Sequence, residues 1–135
     1  MTGAEEAVRA AVGDALRGHA ALAGLNGVFD GPAVRATPPF AEVREVLSVD
    51  WGTKDARGRE LRVAVALRDA GEEPGRVSAL AEAAGQAVEG LARDLDGWRV
   101  ASVAFLRSRV AGEAPGRWLA VVEYRVRVLA AASAP

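Results

Sequence analysis

The side chains that could do chemistry are few and poorly matched. His19 is the one histidine in 135 residues. A general base needs a carboxylate or hydroxyl partner in a recognisable arrangement, and no motif supplies one. His19 follows Gly18 at the end of an alanine-rich segment, so it reads as a solvated helix-end residue. The acid pairs Glu5-Glu6 and Glu72-Glu73 could in principle bind a cation or divide acid and base roles. Adjacent helical residues point about 100° apart, however, and both pairs suit the positive end of a helix dipole better. Asp94 and Asp96 put two carboxylates near a helix C-terminus, where the dipole disfavours anions, and no second acidic cluster joins them.

Phosphate-binding glycine loops, a nucleophile elbow and a His-Glu-x-x-His metal helix do not occur. The chain contains no cysteine, which excludes disulfides, thiolate metal sites and thiol nucleophiles together. No catalytic residue, cofactor or metal is assigned.

The arginines are more informative. Arg107, Arg109, Arg117, Arg125 and Arg127 fall in the last third of the chain, and Arg125 and Arg127 share one face of a strand. Single-strand binders interleave stacking aromatics with such cations, whereas Trp118 and Tyr124 alternate onto the apolar side. A solvated face or a protein interface fits better, because guanidinium groups pair bidentately with carboxylates. Charge is also uneven. Residues 1–96 hold 11 basic and 16 acidic groups, and residues 97–135 hold 6 and 2. That asymmetry suits docking between complementary faces, while a nucleic-acid binder is expected to be basic overall.

The elements that carry these residues follow from hydrophobic spacing. Ala4, Ala7, Val8, Ala11, Val12, Ala15 and Leu16 recur at three- and four-residue steps and predict a helix ending at Gly18, followed by a short turn to Leu25. Residues 26–40 are dense in turn formers, with one short extended piece at Val28 and Phe29. From Ala41, period-two spacing predicts a strand of about ten residues that puts Val43, Leu47, Val49 and Trp51 on one side, with Glu45 interrupting it. After a polar tip, Leu61, Val63, Val65 and Leu67 complete a hairpin. Val77, Leu80, Ala81, Ala84, Val88, Leu91 and Leu95 predict a second helix of about five turns, with Pro74 in its first turn and Asp96-Gly97 at its end. A strand from Trp98 to about Val110, a turn over Ala111 to Gly116, and a last strand from Trp118 to Val128 follow. The tail from Ala130 to Pro135 is expected to fray.

The expected architecture is therefore one α+β domain spanning 1–135, in helix, hairpin, helix, hairpin order. Two helices cover one face of a four-stranded, mainly antiparallel sheet. Acids at the N-terminus and the lack of a long apolar run predict a soluble chain without a membrane span. Trp51, Trp98 and Trp118 sit at strand ends, where an indole caps a core rim. Trp51 is also placed to meet a partner.

The run Pro38-Pro-Phe-Ala-Glu-Val43, followed by Asp50-Trp-Gly-Thr-Lys-Asp-Ala-Arg-Gly-Arg-Glu-Leu-Arg-Val63, resembles the tail terminator (tail completion) family of siphophages and gene transfer agents. Supporting features are the alanine-rich first helix, the Val28-Phe-Asp-Gly31 turn and the closing Glu123-Tyr-Arg-Val-Arg127. Members often carry a tryptophan near the end of the second strand, and Val65-Ala-Leu67 stands there instead. The resemblance implies a structural virion protein without catalytic residues. It implies a hexameric ring at the head-proximal end of the tail tube that meets tube protein and head connector, with DNA passing through unread. It would place the protein at the head–tail junction of a phage or gene transfer agent particle assembled in the bacterial cytoplasm. A ring needs two different complementary patches on each subunit. Arg107, Arg109, Arg125 and Arg127 are the candidates for the subunit interface. The tip from Trp51 to Arg59, with Lys54, Asp55 and Arg57, and the turn from Ala111 to Arg117, with Glu113, are the candidates for tube or connector contact. The alternatives are a small ligand-binding or hydrolytic domain using space between sheet and helices, and another head–tail joining protein such as a stopper.

Overall fold

The computed structural model describes residues 2–131. Of the stretch from Ala130 to Pro135 expected to fray, Ala130 instead closes the last strand, and residues 132–135 lie outside the described residues. Helix α1 (Ala4–Gly18) ends as expected and is followed by a 3-10 turn, Ala20–Leu22. The strands are β1 (Val28–Asp30), β2 (Phe40–Val43), β3 (Leu47–Asp50), β4 (Gly58–Ala70), β5 (Asp94–Leu95), β6 (Trp98–Ala114) and β7 (Arg117–Ala130), with helix α2 (Gly75–Glu89) between β4 and β5. The sheet order is β1-β2-β4-β7-β6-β5, and β3 lies end to end with β2 along the same side of β4.

Both helices lie on one face. Val8, Val12 and Leu16 of α1 share a single core with Val77, Ala84 and Val88 of α2 and with the alternating Leu61, Val63, Val65 and Leu67 of β4. The expected β7 alternation also holds, since Ala120, Val122, Tyr124, Val126 and Val128 are buried. Small side chains at Ala4, Ala7, Ala81 and Ala84 bring the helices close to the sheet.

The sheet is larger than the expected four strands, with seven, and it is mixed, because β1 pairs with β2 in parallel. The short extended piece at Val28 and Phe29 is the parallel strand β1, and three further local differences separate the structure from the expectation. First, the predicted ten-residue strand from Ala41 is two strands. From Val43↔Val65 to Leu47↔Arg62 the chain advances four residues while β4 advances three. One extra residue reverses the alternation. Val43 is thereby buried, whereas Leu47 and Val49 point to the other face and are 58% and 56% exposed.

Second, α2 stops at Glu89, with Gly90 as its cap, well short of Asp96. Leu91 tucks into the core as the chain leaves the helix, and Leu95 belongs to the short strand β5. Apolar spacing continued through these residues because each is buried in turn, not because they are helical. Pro74 is the N-cap of α2, so Glu72 and Glu73 precede the first turn.

Third, β6 runs to Ala114, so the expected turn over 111–116 reduces to Pro115-Gly116. Proline fixes φ near −65°, and Gly116 has φ +72°, a conformation that L side chains rarely adopt. Among the described residues no helix is long and apolar enough to cross a membrane.

Candidate assembly surface

The helix-free face of the sheet carries the charges. On β4 it presents Glu60, Arg62, Ala64, Ala66 and Arg68, which lie opposite Arg127, Arg125, Glu123, Val121 and Leu119 of β7. On β6 it presents Ala104, Arg107, Arg109 and Ala111, across from Arg125, Glu123, Val121 and Leu119. Ala66, Leu119 and Val121 form a small second core there, which alternation alone did not suggest.

Three arginines on this face are held within the chain. Arg127 Nε donates to Glu60 Oε1 at 2.8 Å, and its guanidinium lies 5.2 Å from the Trp51 ring centroid. Trp51 therefore stands beside the charged face, an aromatic that the sequence pattern had not placed there, with Arg127 occupying its ring. Arg107 pairs with Glu123, and that contact leads the causes that hold the Glu123 carboxyl below its ordinary pKa; Arg62 and Arg109 add to it. Arg68 bridges two acids: Nε reaches Glu42 Oε1 at 2.8 Å while a second nitrogen pairs with Glu113. Glu42 is buried, and its other oxygen accepts from Ala33 N–H at 2.8 Å. It thus fastens the loop after β1 to the sheet. The bond to Glu42 is the largest of the effects that raise the Arg68 pKa.

Arg62, Arg109 and Arg125 make no ion pair among the described residues. Arg125 directly faces Arg62, and its Nε is buried without a hydrogen-bond acceptor. Like charges opposite one another on a sheet destabilise it, and a buried donor left unmade costs free energy. This face therefore carries a surplus of positive charge that an acid from outside the chain would offset.

A cleft of about 610 Å³ crosses the same face, lined by Pro32, Glu42, Arg44, Leu47, Arg62, Arg68, Leu106 and Arg107 among others. It lies outside the sheet, not between sheet and helices. Its chemistry is that of paired ions: Glu123, held ionised by Arg107, is a poor proton donor near neutral pH. No group of three potential metal ligands occurs among the described residues. His19 is far from this chemistry; its Nδ1 accepts from Ala21 N–H at 3.1 Å and caps the 3-10 turn.

The two predicted contact segments occupy opposite ends of the sheet. The tip between β3 and β4 lies where Gly58 pairs with Leu129, and the Pro115-Gly116 turn lies where Ala70 pairs with Arg117. Twelve steps of about 3.3 Å put these ends roughly 40 Å apart. At the first end, Lys54, Asp55 and Arg57 are exposed, Arg59 and Trp51 are half-buried, and Arg57 lies 5.7 Å from the Trp98 ring. At the second, Arg117 and Glu113 are exposed, and Trp118 Nε1 donates to Gly71 O at 3.1 Å.

Residues 6–129 match the family model described as "Tail completion protein gp17". The chain belongs to the tail completion protein family. A chain in the virion of a native gene transfer agent (GTA) particle has a similar fold, with a TM-score of 0.80 and 24% identity over 95% of this chain and 99% of that one. No curated protein matches the sequence. The expected family resemblance is thus shown, and the match extends over almost the whole chain.

Sequence reasoning missed Glu42, Arg68 and the pair Asp69–Arg76. Asp69 is buried at the end of β4, where Arg76 Nε and a terminal nitrogen reach its two oxygens at 2.8 and 2.5 Å. Its signal was available, since Asp69 continues the inward alternation Leu61, Val63, Val65, Leu67, and an acid in that phase demands a partner.

Proposed function

We propose that this tail completion protein is a non-enzymatic, ring-forming tail terminator of a phage or gene transfer agent particle. It caps the head-proximal end of the tail tube and joins it to the head connector, with DNA passing through the channel without base-specific contacts. The supporting observation is the polarity of the subunit. One rigid β4–β7 ladder carries the Trp51–Arg59 tip at one end and the 111–117 segment at the other, with a charged face between them. A subunit standing in a ring needs that division: two ends for two axial partners, and lateral surfaces for its neighbours. The positive surplus at Arg62, Arg109 and Arg125 suits lateral contact with acids of the next subunit. Six copies are the number the family resemblance implies.

Negative-stain microscopy of the purified protein, alone and mixed with tail tubes from the same particle, tests the reading. Rings, or density capping one tube end, support a terminator even where the free protein is monomeric. A protein that stays monomeric and never engages a tube overturns it.

A further inference from the structure

Each side of the sheet ends in a strand with an open edge. On one side the segment Arg93–Leu95 covers only Trp98 to Val100 of β6, leaving the rest of this 17-residue strand without a partner strand on its outer edge among the described residues. On the other side β3 pairs with β4 alone. Long open edges are templates for further strands, and proteins usually blunt them with charges and bulges. Here β6 is irregular at three places, yet between Arg107↔Glu123 and Gly112↔Trp118 its register is continuous. That six-residue window is long enough for a strand the length of β3, which has four residues.

The two edges complement one another. The window bears Arg107 and Arg109 and no acid, beside the exposed Phe105, Leu106 and Val110. The segment from Glu45 to Asp50 bears two exposed acids and no base, around the exposed Leu47 and Val49. They are different surfaces of one molecule, as a heterologous, rotationally closing contact requires.

We infer that the β6 edge of one subunit pairs, over Arg107–Gly112, with the β3 edge of a second copy, so that the sheet continues from subunit to subunit around the ring. This rests on the ring reading above and specifies its lateral contact. The contact buries the exposed apolar residues of both edges and sets acids of the second copy beside Arg109, whose nearby acid in its own chain, Glu123, is already paired with Arg107. The bulges on either side of the window limit the added strand to a short one, which is how so long an edge admits a specific partner while resisting random accretion.

The absence of native cysteine makes the test clean. Val49→Cys is combined, one position at a time, with cysteine at Ser108, Arg109, Val110 and Ala111, and each double variant is oxidised both free and with tail tubes present. Within one subunit β3 and β6 are separated by β4 and β7, about 14 Å apart by strand spacing, too far for an internal disulfide. Cross-linked ladders that strengthen at alternate β6 positions are expected, because successive residues point to opposite faces. Rings or tube caps that assemble without cross-linking, or cross-link without alternation, overturn the edge assignment and leave the terminator reading standing. Failure to form rings or caps even in the cysteine-free protein overturns both.

Discussion

The Tyr124 hydroxyl lies where a side chain at Gly85 would be: a Cβ built there falls 2.9 Å from Tyr124 Oη. Tyr124 stands on the buried face of β7, 3% exposed, so its ring has nowhere to retreat. Helix α2 and β7 meet at this contact, and a glycine in the middle of a helix, unfavourable by about 1 kcal/mol relative to alanine, is retained to make room for it. Gly85→Ala should therefore lower stability by about 1–2 kcal/mol net, the overpacking outweighing the gain in helix propensity. Adding Tyr124→Phe, which removes the crowding oxygen, should recover most of the loss. Urea denaturation of the four species gives the coupling, and strictly additive effects would show that the two residues do not interact.

Tyr124 is also the only tyrosine in the chain, so its ionisation can be followed directly. Burial, with the Glu89 carboxylate second, pushes its pKa from 10.0 to about 12. The 295 nm absorbance should begin its main rise well above pH 10 in the folded protein and near pH 10 in urea. Because the folded-state pKa is the higher one, the associated stabilisation is complete below pH 10 and is lost as pH climbs through about 12. A midpoint near 10 without urea would mean that the hydroxyl is solvated.

Acid sensitivity should arise at the opposite end of the same helix. Arg76 beside the buried Asp69 holds its carboxyl below the ordinary 3.8, the hydrogen bonds outweighing the effect of burial. With the folded-state pKa depressed, the stabilisation is fully present above pH 4 and is lost as pH falls through the folded value. Arg76→Gln should lower the thermal midpoint at pH 7 and flatten its dependence below pH 4. Parallel curves for wild type and variant from pH 2.5 to 7 would show that another group governs the acid limb.

These pairs mark where the sequence could and could not be read. Helix α1, the alternation of β4 and β7 and the one-face placement of the helices follow from apolar spacing alone. The split at residues 44–46 does not, because one extra residue changes which face Leu47 and Val49 occupy without altering their period. The end of α2 was hidden for a related reason: Leu91 and Leu95 are apolar because they pack, in helical phase by coincidence. At the candidate site, the arginines of β6 and β7 were legible as a set. Which of them are spent in cis was not, since Glu60 and Arg127 meet only through a pairing of 67 residues' separation.

Glu42 is a second place where one side chain holds two segments. It binds Arg68 and the Ala33 N–H together, tying the loop after β1 to the sheet. Glu42→Ala should cost about 2–3 kcal/mol, the scale of a charge-assisted hydrogen bond plus a buried donor left unmade. Limited proteolysis should then nick residues 31–37 faster than in wild type. Unchanged nicking would mean that the loop is held by other contacts.

Arg125 separates assembly from folding more cleanly than its neighbours do. Charge reversal at Arg127 would break the bond to Glu60 and the Trp51 contact, so an assembly defect there could arise within the subunit. Arg125 has no such ion pair and opposes Arg62 across β4 and β7. Arg125→Glu converts a repulsive cross-strand pair into an attractive one, so the isolated subunit should keep its stability or gain up to about 1 kcal/mol. If the positive surplus of this face meets acids of the next subunit, the same substitution should abolish rings or tube caps at physiological salt. Arg125→Gln, which removes the charge without reversing it, should weaken them less. Normal assembly by Arg125→Glu would show that this arginine faces solvent in the particle, and the lateral contact would then have to rest on the β3 and β6 edges alone.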